Sequence, residues 1–217
     1  MAAGMSAPTH KVCPCLIKKK FVNFVAEQGA VSSEVLTRLD SLVETRMIAA
    51  GGFCFQVGQP ATHIIFVEKG LFKLHGQDFH GTPFVVEFAA EGEFASDYAA
   101  MVEKQPCNLS CEALEDGQVS MLRFEDYQAL TNSTPKLQHL ARRVLEDLVV
   151  KLSKRELQMM TMNAKERYMK FAQSRGHLLA RIDRNDLAAH LGITPVSLSR
   201  IRGEIQRSRR KSGKASI

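Results

Sequence analysis

The sequence predicts an α+β protein with three parts in order: an N-terminal β-roll of the jelly-roll kind, one long helix, and a C-terminal helix-turn-helix. Three observations predict it. Residues 46–124 hold short apolar runs punctuated by Gly58, Gly70, Gly81, Gly92 and Gly117, the pattern of strands that fold into a sandwich or jelly roll. Residues 135–162 carry apolar side chains at helical intervals behind Pro135, with no internal breaker. Residues 184–205 read as two short helices about a glycine turn, the pattern of a helix-turn-helix.

Taken in order, residues 1–30 form an arm. Its first 20 residues are rich in small residues, Pro8, Pro14 and a lysine run, which predicts little regular structure. The stretch Ser33–Leu42 predicts a helix with Val35, Leu36, Leu39 and Leu42 on one side. Residues 31–133 then make the β-roll domain, with strand candidates at 53–55, 64–67, 71–74, 84–88 and 119–122. With three Tyr and no Trp in the chain, the roll must be filled by Phe, Val, Ile and Leu.

Residues 134–162 form the long helix. Leu140, Val144, Leu148 and Leu152 follow at i, i+4 spacing, with Ala141, Leu145 and Val149 beside them. A helix of this length spans roughly 40 Å, more than one small barrel covers. The stripe is therefore read as a dimerisation seam with a second copy, the other reading being a helix laid across both domains of a monomer. Residues 163–217 form the C-terminal domain. It begins with a helix over Ala164–Arg175 that turns Tyr168, Met169, Phe171 and Ala172 inward, followed by a short strand at 178–182.

Within the helix-turn-helix, Leu187, Leu191, Ile193, Leu198 and Ile201 are spaced to share one core, and Ala188 is small where the helices cross. Gly192 supplies the backbone freedom that ends the first helix. Thr194 is a ready N-cap and Pro195 sits at the first helical position, where no N–H is needed. The second helix of such a unit enters the DNA major groove. Thr194, Pro195, Val196, Ser197, Ser199, Arg200 and Arg202 are its candidate DNA-contacting positions.

Charge supports that reading. From Ala164 onward there are 13 Lys+Arg against 4 Asp+Glu, a balance of +9, whereas the first 163 residues hold 16 against 19, a balance of −3. The basic excess thus sits with the helix-turn-helix, as a phosphate-binding surface requires. No apolar run is long enough to span a membrane, and the N-terminus lacks a secretory pattern, so a cytoplasmic protein is expected. Five Cys without framework spacing fit reduced thiols.

The order of these parts resembles the Crp–Fnr superfamily of bacterial transcription regulators. Residues 52–61 are similar to the family's first barrel segment and residues 64–70 to its next strand and turn. Gly92, Glu93 and Phe94 resemble the opening of the phosphate-binding cassette, and residues 187–201 match the helix-turn-helix position by position. The resemblance implies a cyclic-nucleotide-binding-like β-roll that senses a signal, a winged helix-turn-helix, a homodimer on a pseudo-palindromic operator in double-stranded DNA, and activation through RNA polymerase.

The chain departs from the pattern where the ligand would sit. Cyclic-nucleotide-binding members continue Phe-Gly-Glu and carry an Arg-Ser or Arg-Thr pair about ten residues later. There the Arg and backbone N–H groups neutralise the phosphate and the acid holds the ribose. Here the run is Phe94, Ala95, Ser96, Asp97 and Tyr98, and the Arg position carries Cys107 or Asn108. With Glu91, Glu93, Asp97 and Glu103 near and only Lys104 positive, an anionic ligand is poorly met. The candidate effector positions are Glu93, Phe94, Ser96, Asp97, Tyr98, Cys107 and Asn108.

Two other family cofactors remain open. An iron–sulfur cluster would draw on the N-terminal Cys group and a barrel Cys, although one residue between Cys13 and Cys15 is tight for a cluster loop. Cys13, Cys15, Cys107 and Cys111, with His10, are the candidates for any metal or redox site. Haem would need an axial ligand such as His63, His75, His80, His139 or Cys107. The recognition helix departs as well: Val196 stands where some members place a base-reading Glu, and Val touches only a thymine methyl or packs. Arg200 is the candidate for a guanine contact, with a phosphate contact as the other reading.

A different class of function is a cupin-like metalloenzyme on the same jelly roll, with a degenerate C-terminal module. Cupin sites need two His one residue apart, and the chain has no His-x-His. No Gly-x-Ser-x-Gly nucleophile motif occurs either. A non-enzymatic regulator is the expectation.

Overall fold

A computed structural model describes residues 19–29 and 31–213. Helices α1 (Lys20–Gly29) and α2 (Ser33–Leu42) lead into strands β1 (Glu44–Ile48), β2 (Phe53–Phe55), β3 (His63–Lys69), β4 (Phe72–Gln77) and β5 (Pro83–Ala89). A short helix α3 (Tyr98–Glu103), strands β6 (Ser110–Ala113) and β7 (Gly117–Arg123) and helix α4 (Phe124–Ser133) complete the roll. Then come α5 (Pro135–Thr161), α6 (Ala164–Arg175), a 3-10 turn (Gly176–Leu178), α7 (Arg184–Leu191) and α8 (Pro195–Gly213).

The strands form two antiparallel sheets, β1-β7-β3 and β2-β6-β4-β5. Side chains alternate across each strand, and that alternation divides the apolar residues among three cores. Ile65, Val67, Phe72, Leu74, Val119 and Met121 face one another between the sheets. On the other face of β3 and β7, Phe66 and Leu122 meet α1, α4 and the start of α5 through Phe21, Leu130, Leu137 and Leu140. The third core lies outside the second sheet: Leu71, Val85 and Phe88 pack on Phe171, Leu178, Leu187, Leu191 and Leu198. The C-terminal helices therefore sit on the roll through a continuous apolar core.

The expected helices at Ser33–Leu42 and from Pro135 are present, the latter 27 residues long. All five strand candidates are strands, and β1 and β6 are added to them. Helix α1 occupies part of the arm. Its start is held by the buried carboxylate of Glu68 on β3, which accepts the N–H groups of Lys20 (2.6 Å) and Phe21 (3.1 Å) and the Ser120 hydroxyl (2.5 Å). The arm's first 18 residues, with Cys13 and Cys15, lie outside the described residues.

The strand expected at 178–182 is absent. These residues form the 3-10 turn and the bend after it, and Leu178 and Ile182 drop into the third core. A five-residue apolar run has no period long enough to separate a strand from a buried turn. Met169 is 54% exposed rather than inward, because Phe171 and Tyr168 take the inner face of α6. Among the described residues after Ala164 there is no strand, so the region of the implied wing is helical.

Candidate nucleic-acid interface and sensing cassette

The helix-turn-helix forms as its sequence dictates. Asp183 caps α7 by accepting the Asp186 N–H at 2.8 Å. Gly192 ends α7 at φ 64°, left-handed backbone that glycine adopts without strain. A Cβ there would also meet the Met159 methyl at 2.8 Å. Thr194 Oγ1 accepts the Ser197 N–H at 3.2 Å, and Pro195 opens α8.

With Leu198 fully buried and Ile201 nearly so, the helix period turns Val196, Ser199 and Arg200 to solvent. Thr194 is exposed beside them, and Pro195 and Ser197 are half-buried. The same face runs on through Gly203 to exposed Arg207, positions outside the candidate set. They follow Arg200 at helical intervals of three and four, a signal that was present once α8 was read beyond Ile205. Arg202 departs from expectation. Its guanidinium lies 5.7 Å from the Tyr168 ring and its Nε is buried without a partner. It braces α8 against α6 and does not stand on the exposed face.

Ion pairs fix this unit on the roll. Arg181 reaches both Glu91 (2.9 Å) and Glu115 (2.5 Å), and Arg175 reaches Glu87 (2.5 Å) and Glu93. Lys73 on β4 pairs with Asp186 of α7 at 3.0 Å. Burial disfavours the Glu91 anion, but hydrogen bonds from Arg181 and from backbone N–H groups outweigh it and hold the carboxyl at about 2. Part of the C-terminal positive charge is thus neutralised by the roll. His190 is buried between Phe88 and Phe171, at 5.0 and 5.3 Å between ring centroids. Burial first, then the nearby Arg155 charge, pulls its pKa down to about 3.

The expected effector residues do not converge. Asp97 and Cys107 line a solvent-open pocket of about 380 Å³ at the roll, together with Cys54, Ile65, Met101 and Met121. Phe94, Ser96 and Tyr98 face the other side. Phe94 stacks edge-on with Phe21, Phe24 and Phe66, Ser96 accepts the Ile65 N–H at 2.7 Å, and Tyr98 meets Phe124 edge-on. Glu93 pairs with Arg175 across the junction. Asn108 is exposed and contributes only its backbone. The reason is the alternation of an extended run, which sends neighbours to opposite faces.

Asp97 is 8% exposed. One carboxylate oxygen accepts the Ala100 N–H (3.2 Å) and the other the Asn108 N–H (2.8 Å). The cassette's own carboxylate therefore takes the backbone donors nearest the missing arginine. Burial, then the Asp97 charge, pushes the Cys107 thiol up, which keeps it protonated and a poor ligand. Cys111 lies against Cys54, and that contact together with burial pushes its thiol well up. Among the described residues no three His, Cys, Asp or Glu side chains gather as a metal site.

Along α5 the seam residues divide. Leu140 is buried and Val144 half-buried against the roll. Leu140 therefore has little side-chain surface left for a second copy, a correction to the expected seam. Leu148, Val149 and Leu152 are exposed, at 37, 61 and 44%. Among the described residues no helix is long and apolar enough to cross a membrane.

Residues 45–134 match the cyclic nucleotide-binding domain family. The transcriptional regulatory protein btr of Bordetella pertussis is 24% identical over 185 residues, covering 80% of this chain and 75% of that protein. The fumarate and nitrate reduction regulatory protein of Yersinia pestis is 24% identical over 192 residues, covering 80% of this chain and 73% of that one. FixK2 of Bradyrhizobium japonicum superposes with a TM-score of 0.67 at 16% identity, over 76% of this chain and 85% of its own. Over most of its length the chain is therefore similar to Crp–Fnr-type transcription regulators, and the proteins it resembles are regulators rather than enzymes.

Proposed function

We propose that this regulator reads a pseudo-palindromic site in double-stranded DNA as a homodimer, with α8 of each copy in a major groove. The observation that carries the reading is the face of α8 that stays exposed once Leu198 and Ile201 are buried: Val196, Ser199 and Arg200, continued by Arg207. Arg200 suits a bidentate contact to guanine N7 and O6. Thr194, Ser197 and Ser199 suit phosphate or sugar contacts that set the register. Val196 offers only methyl groups, so any base it touches is met through a thymine methyl. Leu148, Val149 and Leu152 form the seam between copies, and the two-fold protein matches a two-fold operator.

The cassette does not take a cyclic nucleotide. A ring phosphate brought to Asp97 would meet a buried carboxylate that already holds the Ala100 and Asn108 N–H groups. No Arg or Lys stands at 107 or 108 to offset that repulsion.

The test is selection of binding sites from a random duplex library by the full chain, followed by anisotropy titrations over a range of salt. An operator with two half-sites each carrying a guanine, and affinity falling steeply with salt, is expected. Enrichment of no sequence, or affinity indifferent to salt, would sink the reading.

A further inference from the structure

We propose that the groove between α5 and α6, closed at one end by α7, is a binding site for a small polyphosphate anion of nucleoside-polyphosphate size. Two helix faces meet there. Lys151, Lys154 and Arg155 project from α5, and Arg167, Lys170 and Arg175 from α6. On each helix the three fall at the i, i+3, i+4 or i, i+3, i+8 intervals that keep side chains on one side. Together they border about 920 Å³ of space open to solvent, with the exposed Met159 as apolar surface beside them.

The charge in this groove is largely uncompensated. Glu87 is the one carboxylate in its lining, and it is shared between Lys151 (2.9 Å) and Arg175 (2.5 Å). Among the described residues Lys154, Arg155, Arg167 and Lys170 make no ion pair. The two arginines are held instead by main-chain carbonyls and, for Arg155, by the His190 ring at 3.1 Å as well. Arg155 donates to Val85 O (2.9 Å) and His190 O (3.2 Å), and Arg167 to Leu191 O (3.0 Å) and Met162 O (2.6 Å). Carbonyls orient a guanidinium without cancelling its charge. Four cations thus converge on a concave surface, two of them fixed in direction. This arrangement suits several phosphate oxygens better than one carboxylate.

A second observation reports the same field. His190, at the wall of the groove, is driven towards its neutral form by burial and then by Arg155, Arg175 and Lys151. The exposed Met159 beside the cations gives an uncharged portion of the ligand a place to rest. None of Val196, Ser199 or Arg200 lines the groove, so its occupant does not cover the DNA-reading face. Because the cations come from both α5 and α6, a bound polyanion ties the C-terminal unit to the long helix. The proposal does not rest on the DNA reading.

The experiment uses the full chain in calorimetric titration and thermal melting with inorganic triphosphate and with ATP, ionic strength being matched with sodium chloride. Saturable binding of one anion per chain and a melting temperature that rises with ligand concentration are expected. Binding should weaken at least about tenfold in Lys154→Ala/Lys170→Ala, since two charge-assisted contacts are lost. It should be unchanged in Arg142→Ala/Arg143→Ala, which removes the same charge from a part of α5 outside the groove. No saturable binding by the wild-type chain, or equal weakening in both double variants, overturns the proposal. A third arm adds labelled duplex DNA. Competition between triphosphate and DNA that vanishes in the Lys154/Lys170 variant would assign the groove to the DNA footprint and overturn the small-anion site.

Discussion

On α8, Ser199 and Arg200 stand exposed with their side chains uncommitted to other described residues. In the cassette, Asp97 is buried with both oxygens bonded to backbone N–H groups of its own loop. Both stretches follow the same family pattern, and the fold preserves the backbone of each. The difference lies in where polar groups find partners. A polar side chain kept in water remains ready for an external partner. A polar side chain taken out of water must be satisfied internally, and the two N–H groups that Asp97 holds are not free for a ligand.

Truncating the support under the exposed face of α8 has the largest effect. Leu198→Ala removes a fully buried side chain shared by α7, α8 and the roll, and should cost about 2–5 kcal/mol in urea unfolding. Asp97→Ala should cost about 1–3 kcal/mol, because it strips a cap and leaves two N–H groups without their acceptor. DNA affinity of the surviving folded protein should stay the same. A large loss of DNA affinity there would tie the cassette to the reading helix more directly than the comparison allows.

Arg200→Ala reverses that pattern. Stability should be nearly unchanged while affinity for the selected operator falls by about 1–3 kcal/mol and preference at one base pair relaxes. Uniform weakening on all duplexes would make Arg200 a phosphate contact.

Acid should loosen the junction between the two regions. The folded pKa of His190, about 3, lies below its unfolded value near 6.5. The unfolded chain therefore binds the extra proton, and the stability from neutral His190 is full above pH 6.5 and lost as pH falls towards 3. Between pH 6.5 and 5 the loss should be about 1–2 kcal/mol. It should shrink in His190→Gln, as read from denaturation midpoints at each pH. The smallest expected effect is none: cyclic AMP or cyclic GMP should leave both melting temperature and DNA affinity unchanged.

Much of this was legible in the residues. Gly192, Thr194 and Pro195 mark turn, cap and helix start by backbone chemistry alone, so the helix-turn-helix is placed to the residue. The long helix was legible for the same reason, as a sustained period behind Pro135. Strands β1 and β6 were not. In β1 only Ile48 is buried, so the run Glu-Thr-Arg-Met-Ile shows no apolar face. In β6 the run Ser-Cys-Glu-Ala lacks the β-branched residues that mark strands.

The cassette was legible as an absence of arginine but not as a set of directions. Only the fold reveals that Phe94 and Asp97 go to opposite faces and that Glu93 leaves for Arg175. The junction partners Glu87, Glu91, Arg175 and Arg181 were invisible because they lie far apart in sequence. The expected seam was half legible: a stripe shows that side chains share a helix face, and Leu140, buried on the roll, shows that it does not say against which partner.

The most direct test of the account compares wild type and Arg200→Ala on the selected operator and on a scrambled duplex at one physiological salt concentration. Wild type should prefer the operator by a factor on the order of 10³ or more. The variant should lose ten- to hundredfold of that preference while binding the scrambled duplex as before, an effect of roughly 1–3 kcal/mol. Equal affinity of wild type for both duplexes would contradict the claim that the exposed face of α8 reads DNA sequence.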